Sequence, residues 1–194
     1  MRTLTRVDGP MRYGLFETAL GIVGLAWSER GIARLQLPES GRAATERRLR
    51  GWSTEMTEAE PAPQIRKAMR AVERYMAGKN VDFSPLALDL AGVGGFHRKL
   101  YEAARRVGWG ETTTYGELAR EVGSPGAARA VGQAMGRNPI PLIVPCHRVL
   151  ASGRKIGGFS AYGGATTKTR LLALEGVHLD CGAPPLPGLL PAAR

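Results

Sequence analysis

The feature that most constrains the fold is a glycine-rich segment at residues 91–95, Ala-Gly-Val-Gly-Gly, where the sequence pattern changes. Before it, short apolar segments of the kind that form strands are separated by turns containing glycine. After it, apolar residues recur at helical spacing. Such a run of glycine is typical of a boundary between folding units. We therefore predict an α+β protein, with a small α/β N-terminal domain at residues 1–90 and a mainly helical C-terminal domain at residues 91–180.

The first ninety residues contain signals for four strands and two helices. The strands are predicted at Met11–Thr18, Gly21–Ser28, residues 31–37 and residues 86–90. The helices are predicted at residues 40–50, capped by Ser40, and at residues 63–76, ended by Gly78. Nothing in this half forms a catalytic pattern, and residues 1–90 contain neither Cys nor His. We interpret this half as a scaffold without a metal site.

The C-terminal half contains a candidate helix-turn-helix. Thr113 or Thr114 can cap a helix that ends at the tight turn of residues 123–126, and a further helix is predicted at residues 127–135. Two short helices joined by such a turn are typical of DNA-binding proteins, although many such pairs are simply packed helices. The outer face of the second helix offers small residues and one long cation, Arg129. Because Arg129 is the single side chain on this face of a type that specifies bases, we expect sequence-tolerant binding.

Charge supports a polyanionic partner. The chain has a formal net charge of +10, of which +3 lies in residues 1–90 and +7 in residues 91–194. A basic surface of this size favours DNA, although a merely soluble basic protein would also fit. Two cysteines exclude a disulfide framework, which favours the reducing cytoplasm. There is neither an apolar signal core nor a run long enough to span a membrane, so no membrane partner is expected.

A polar motif, Pro145-Cys146-His147-Arg148, follows an apolar run that we expect to be buried. The ordinary interpretation of one Cys is a small buried hydrophobe, but His and Arg beside it favour a reactive thiolate with a lowered pKa. Neighbours in a strand point to opposite sides, so His147 would act through water rather than by direct contact. Asn138 is placed to fix the preceding turn. Glu175 shares a helical face with inward leucines, and it either orients His147 or lies in solvent.

At this point the sequence resembles a known family. Residues 144–150, Val-Pro-Cys-His-Arg-Val-Leu, look like the active-site signature of the methylated-DNA–protein-cysteine methyltransferases, also called O6-alkylguanine-DNA alkyltransferases. Four further motifs support the resemblance, which covers about residues 95 to 177. They are Thr-Tyr-Gly-Glu-Leu-Ala at 114–119, Ala-Arg-Ala-Val-Gly at 128–132, Asn-Pro at 138–139 and Leu-Leu-Ala-Leu-Glu-Gly at 171–176. The first half resembles the family's ribonuclease-H-like domain.

The resemblance implies a set of catalytic roles. Cys146 would attack the alkyl carbon, and His147, acting through water and held by Glu175, would take the thiol proton. Asn138 would order the turn that carries the site. Tyr115 would contact a DNA phosphate and help to protonate the leaving guanine. Because the product is a thioether, which water does not readily cleave, the protein would act once and would need no cofactor.

The resemblance also implies how DNA is held. The partner is double-stranded DNA containing O6-alkylguanine, with O4-alkylthymine as a further possible substrate, and the damaged base is flipped into a pocket. Arg129 would fill the vacated space as an arginine finger. The other DNA-binding residues would be Thr114, Ala128, Ala130 and Gly132. Those of the base-binding loop would be Val149, Gly158 and Ser160.

Two other functions fit parts of the pattern. A non-enzymatic binder of alkylated DNA would keep the helix-turn-helix and Arg129 but lack the reactive Cys, and Cys146 is present. A simple transcriptional regulator is disfavoured by the small residues on the outer helix. We expect a monomer in solution, with cooperative binding on DNA left open. Residues 181–194, rich in Pro and Gly, are expected to form a flexible tail.

Overall fold

The computed structural model describes residues 10–53 and 55–179, so the predicted tail at 181–194 lies outside the described residues. The N-terminal half contains strands β1 (Met11–Thr18), β2 (Gly21–Ser28), β3 (Gly31–Gln36) and β4 (Met56–Glu58), with helices α1 (Arg42–Arg50) and α2 (Pro63–Met76). The C-terminal half contains helices α3 (Gly95–Ala104), α4 (Tyr115–Glu121), α5 (Ala128–Gly136) and α6 (Ala165–Leu174), with short strands β5 (Thr113–Thr114) and β6 (Val149–Leu150). Two 3₁₀ turns occur at Cys146–Arg148 and Ser152–Arg154. No helix within the described ranges is both long and apolar enough to cross a bilayer.

The N-terminal sheet has the order β3-β2-β1-β4, with an antiparallel meander of β1 to β3 and a parallel edge strand β4. The hairpin corner at Gly31 requires glycine for two reasons. Its φ of +138° is unfavourable for other residues, and a Cβ there would lie 2.5 Å from the carbonyl oxygen of Ala87. The predicted strands Met11–Thr18 and Gly21–Ser28 are confirmed.

Helix α2 covers one face of this sheet and packs against β1. Its apolar residues recur at helical spacing, and Ile65, Met69, Val72 and Met76 are all buried. Pro63 occupies the first turn, where its missing N–H is not needed. The helix predicted at residues 63–76 is therefore confirmed. Its buried face joins a core cluster that continues into α3, α4, α5 and α6, so the two halves share one apolar core.

Two N-terminal predictions differ from the structure, and one strand was not predicted. Helix α1 begins at Arg42 with Gly41 as its N-cap and no side-chain capping bond, so Ser40 does not cap it. Residues 86–90 form no strand but a single bridge between Leu88 and Ile32. Strand β4 was not predicted, because three residues are too few for a recognisable alternation.

Helices α4 and α5 pack against each other as the predicted helix-turn-helix. Of the two capping candidates, Thr114 begins α4. Its Oγ1 accepts the N–H of Glu117, whose carboxylate accepts the N–H of Thr114, which together form a capping box. Strand β5 pairs in parallel with β6, so the start of α4 is hydrogen-bonded to the chain that directly follows Cys146–Arg148. This pairing fixes the helix-turn-helix beside the cysteine motif.

Candidate active site

The turn that leads to Cys146 is held by Asn138. Its side-chain amide donates to the carbonyl of Val144 at 2.8 Å, and its Oδ1 accepts the N–H of Ile140 at 3.0 Å. The apolar residues between them are buried, as expected from the sequence. Leu142 has a φ of +78°, a conformation that a non-glycine residue keeps only when its surroundings enforce it. Asn138 therefore closes the loop by satisfying backbone groups that are buried away from water.

Cys146, His147 and Arg148 form one 3₁₀ turn, not a strand as expected. The three consecutive side chains are buried. His147 makes no hydrogen bond to the thiol, because its Nε2 is bonded elsewhere and its Nδ1 has no partner among the described residues. The absence of direct contact was predicted, but the reason was wrong, since a tight turn and not strand alternation separates the groups.

The pKa of Cys146 is raised, whereas the neighbouring His and Arg had led us to expect a lowered value. Burial of the thiol is the main cause, and it outweighs the Asn138 amide and the Lys168 ammonium, which act in the other direction. The cationic neighbour Arg148 turns away to other partners. A thiol at rest is therefore neutral, and any nucleophilic reaction requires a base to remove its proton.

Glu175 joins His147 and Arg148 in a buried network. Its Oε1 lies 2.8 Å from His147 Nε2, and its two oxygens accept from Arg148 Nε at 2.9 Å and Nη2 at 3.0 Å. Burial alone would raise the pKa of Glu175, but hydrogen bonds from His147, Arg148 and Tyr75 outweigh it and bring the pKa to about 2. Arg148 is further tied to the carbonyl of Val107. Of the two alternatives for Glu175, the inward orientation is the observed one.

Burial also affects the two bases near the thiol. The pKa of His147 is lowered by burial, against the opposing effect of Glu175. Lys168 is fully buried, and its Nζ donates to the carbonyl of Val149 at 2.6 Å. Burial lowers the pKa of Lys168 to about 8. No role was predicted for Lys168 from the sequence, since a lysine next to apolar residues usually reaches solvent.

Tyr75 is the site residue that the sequence missed. It belongs to α2 in the half interpreted as a scaffold, yet its hydroxyl lies 2.5 Å from Glu175 Oε1 and 3.1 Å from His147 Nε2. The N-terminal half therefore contributes a polar group to the site. No local signal could have found it, because Tyr75 is separated from these partners by 72 and 100 residues.

Tyr115 lies beside a second glycine-rich segment, at residues 157–164. Tyr115 is half-buried, its ring lies 5.7 Å from Lys168 Nζ, and burial raises the pKa of its hydroxyl. Gly157, with a φ of +66°, approaches this hydroxyl closely. Gly158 and Ser160 are exposed, whereas Val149 lies in β6 with its side chain buried. Of the three predicted base-binding residues, Gly158 and Ser160 are therefore exposed and Val149 is buried.

The outer face of α5 has the expected character. Arg129 and Ala130 are exposed, Ala128 and Gly132 are half-buried, and Val131 on the opposite face is buried. The exposed face therefore combines one long cation with small side chains. A helix-turn-helix, which is a DNA-binding motif, therefore lies next to a buried cysteine, histidine and glutamate, the residue types of an activated nucleophile. Together they define a protein that carries out cysteine chemistry on DNA.

Comparison with known proteins identifies the family within that class. Residues 95–177 match the DNA-binding domain of 6-O-methylguanine DNA methyltransferase, and residues 11–90 match its ribonuclease-like domain. The methylated-DNA–protein-cysteine methyltransferases of Mycolicibacterium paratuberculosis and Sulfolobus acidocaldarius are each 36% identical over 168 residues, covering 87% of this chain and 94% and 95% of theirs. The chain belongs to the methylated-DNA–protein-cysteine methyltransferase family.

Solved structures agree with this assignment. The crystal structure of Mycobacterium tuberculosis OGT in complex with DNA is 35% identical, with a TM-score of 0.69, and the match covers 84% of this chain and 92% of that one. The crystal structure of O6-methylguanine-DNA methyltransferase from Pyrococcus kodakaraensis is 27% identical, with a TM-score of 0.65, and the match covers 86% of this chain and 99% of that one. The predicted α+β fold with a ribonuclease-like N-terminal domain is confirmed.

Proposed function

We infer that the protein repairs DNA by direct reversal of alkylation, moving the alkyl group to its own Cys146. The observation that carries this inference is a buried thiol next to a histidine bonded to a buried carboxylate, in a chain of the methylated-DNA–protein-cysteine methyltransferase family. DNA is the partner, as it is in the complex of the M. tuberculosis relative. We further propose O6-alkylguanine in duplex DNA as the substrate, a monomer as the solution state and the cytoplasm as the location.

The hydrogen bonds around His147 support a base that acts through water. Its Nε2 faces the Glu175 carboxylate, which only accepts, so the proton of a neutral ring lies on Nε2. The lone pair then lies on Nδ1, the buried atom without a partner in the described chain. A bridging water passes the proton of the Cys146 thiol to Nδ1 as the sulfur attacks. Glu175 acts by orienting the ring and stabilising the imidazolium.

The transfer itself is a displacement at the alkyl carbon. A bond forms between Cys146 Sγ and that carbon while the bond to guanine O6 breaks. The electron pair of the broken bond stays on the guanine, which takes up a proton. We place the Tyr115 hydroxyl as a hydrogen-bond donor to the leaving guanine, because burial raises its pKa and the hydroxyl keeps its proton at neutral pH. The resulting thioether is stable in water, so each molecule acts once.

The DNA side of the proposal rests on the α4–α5 face. Base extrusion costs a few kcal/mol, and exposed Arg129 is placed to occupy the gap in the stack. Thr114 at the start of α4 and the small residues of α5 allow close approach to the sugar-phosphate backbone. Besides Arg129, the residues of this face are Thr114, Ala128, Ala130 and Gly132. The proposed base-binding residues are Gly158 and Ser160, which are exposed, and Val149, which is buried.

Mass spectrometry of the protein after mixing with duplex DNA containing O6-methylguanine tests the proposal. A stable gain of one methyl on Cys146, with stoichiometric and not repeated transfer, is expected. Cys146→Ala should abolish transfer while leaving DNA affinity within a few-fold, because phosphate contacts dominate binding. Repeated turnover, or methylation of another residue, would contradict the proposed mechanism.

The finger role of Arg129 needs a comparison of two substrates. Arg129→Ala should slow transfer from duplex DNA much more than transfer from free O6-benzylguanine, which requires no extrusion. Arg70→Ala removes an exposed arginine from α2, in the other half of the chain, and should change neither rate. Equal losses on both substrates would refute the assignment.

A further inference from the structure

The hydroxyl of Tyr75 connects the N-terminal half to the proposed base. Tyr75 is fully buried in the last turn of α2. Its hydroxyl is 2.5 Å from Glu175 Oε1 and 3.1 Å from His147 Nε2, and these two atoms are 2.8 Å from each other. The three polar groups therefore contact one another pairwise. Arg148 is the further donor to Glu175 Oε1 among the described residues.

The direction of each hydrogen bond follows from the groups involved. An ionised carboxylate only accepts, so the Tyr75 hydroxyl donates to Glu175. The Nε2–H of His147 is then shared between Glu175 and the oxygen of Tyr75. Both contacts require the proton on Nε2 and leave Nδ1 as the acceptor. The hydroxyl therefore favours the tautomer that the proposed proton transfer needs.

The position of this hydroxyl is fixed by the packing of its ring. The ring meets Trp109 edge-on, with centroids 5.2 Å apart, and meets Phe83 at a tilt, with centroids 5.7 Å apart. Gly110, next to Trp109, donates its N–H to the second oxygen of Glu175 at 3.3 Å. Adjacent residues, Trp109 and Gly110, thus fix the ring of Tyr75 and the carboxylate of Glu175 relative to each other, where α2 meets the C-terminal half.

We propose that Tyr75 is a positioning residue for alkyl transfer, through which the N-terminal half orients His147 and Glu175 for removal of the Cys146 proton. This inference rests on the proposed function. The charged groups that act on His147 are Glu175, Arg148 and Lys168 from the C-terminal half. The other titratable groups beside it are Cys146, its neighbour in the sequence, and Tyr75 from α2. Tyr75 differs from the charged groups because it both donates to Glu175 and accepts from His147.

Tyr75→Phe tests the proposal, since it removes the hydroxyl and keeps the ring. We expect transfer from free O6-benzylguanine and from duplex DNA to slow equally, by about tenfold, a part of the ~10²–10⁴ that a positioned base contributes. DNA affinity should not change. Tyr13→Phe is the matched control, because it removes another tyrosine hydroxyl of the N-terminal half, one bonded to Glu46. It should leave both rates within twofold of the wild type.

The pH dependence of the transfer rate distinguishes a positioning role of Tyr75 from a purely structural one. Without the hydroxyl, Glu175 loses a competing donor and attracts the imidazolium more strongly, so the acid limb of the transfer rate should move up by about half a pH unit. Replacing Tyr75 with 3,5-difluorotyrosine makes the hydroxyl a stronger donor with little change of volume, and should move that limb down. The fluorinated hydroxyl stays protonated, because burial and Glu175 raise the pKa of Tyr75.

Each outcome decides the proposal. Unchanged rates and an unchanged acid limb in Tyr75→Phe would overturn it, even if the melting temperature fell. If Tyr75→Phe does not fold, the difluorotyrosine protein decides alone, and an unmoved acid limb would overturn it. Failure of the wild type to accept a methyl group would instead refute the proposed function, so the two failures are distinguishable.

Discussion

Replacing the buried cation Lys168 should change the free energy of unfolding in a direction that depends on pH. Lys168 is fully buried in α6, where its Nζ donates to the carbonyl of Val149 at 2.6 Å. Burial moves the pKa of Lys168 from 10.5 to about 8. Each pKa unit corresponds to 1.36 kcal/mol, so holding this ammonium in the folded state costs about 3 kcal/mol at neutral pH. Lys168→Met removes that cost and keeps most of the volume.

The stability that Lys168→Met gains is partly offset, because the substitution removes the hydrogen bond from Lys168 Nζ to the carbonyl of Val149. Leaving the Val149 carbonyl without its donor costs ~1–2 kcal/mol, so Lys168→Met should be more stable than the wild type by about 1–2 kcal/mol at pH 7. As the pH rises from 8 towards 10.5, the folded lysine is already neutral while the unfolded one still binds a proton. The wild type therefore gains stability over this range and the variant does not. By pH 10 the variant should be the less stable protein.

Melting temperatures of both proteins between pH 7 and pH 10 provide the assay. The relative stability should swing by about 2–3 kcal/mol, which is roughly 5–10 °C in the difference between the two melting temperatures. Lys99→Met is the matched control, because Lys99 lies in α3 with its side chain exposed. Its difference from the wild type should stay constant with pH. A constant difference for Lys168→Met as well would refute the argument from a buried charge.

The remaining predictions concern a cap, a turn and a carboxylate. Thr114→Ala removes the capping box and should lower stability by about 1 kcal/mol, or about 2–4 °C in melting temperature. Asn138→Ala leaves two buried backbone groups unpaired and should cost ~2–4 kcal/mol in urea unfolding and slow alkyl transfer. Since the folded pKa of Glu175 is about 2, its contribution of ~3 kcal/mol is present above pH 4.5 and is lost as the pH falls towards 2. The stability difference between the wild type and Glu175→Gln should therefore narrow in acid.

Each of these variants has an exposed counterpart of the same residue type. Thr166→Ala, Asn80→Ala and Glu73→Gln should each change stability by no more than about 0.5 kcal/mol. Equal effects of a variant and its counterpart would contradict the role assigned to the cap or to the buried hydrogen bonds. A stability difference that stays constant between pH 5 and pH 2.5 would contradict the lowered pKa of Glu175.

Local patterns in the sequence determined much of the fold. The strand Met11–Thr18 and the helix Pro63–Met76 were predictable because alternation and helical spacing are properties of near neighbours. The same holds for the cap at Thr114, since a Thr followed three residues later by Glu117 forms its bonds within one turn. Ser40 failed as a cap because capping depends on the backbone geometry of the first turn, which begins after Gly41.

The sequence by itself determined the family motif, the buried turn held by Asn138 and the helical face that Glu175 shares with leucines, whereas the structure decided that Glu175 points inward. Only the tertiary structure decided the electrostatics of the site. Burial raises the pKa of Cys146, although the adjacent His147 and Arg148 suggested the opposite. The contact between Tyr75 and His147, which are 72 residues apart, also depends on the tertiary structure. Residue spacing encodes contacts within one turn or one strand, whereas burial and long-range hydrogen bonds depend on how distant segments pack in space.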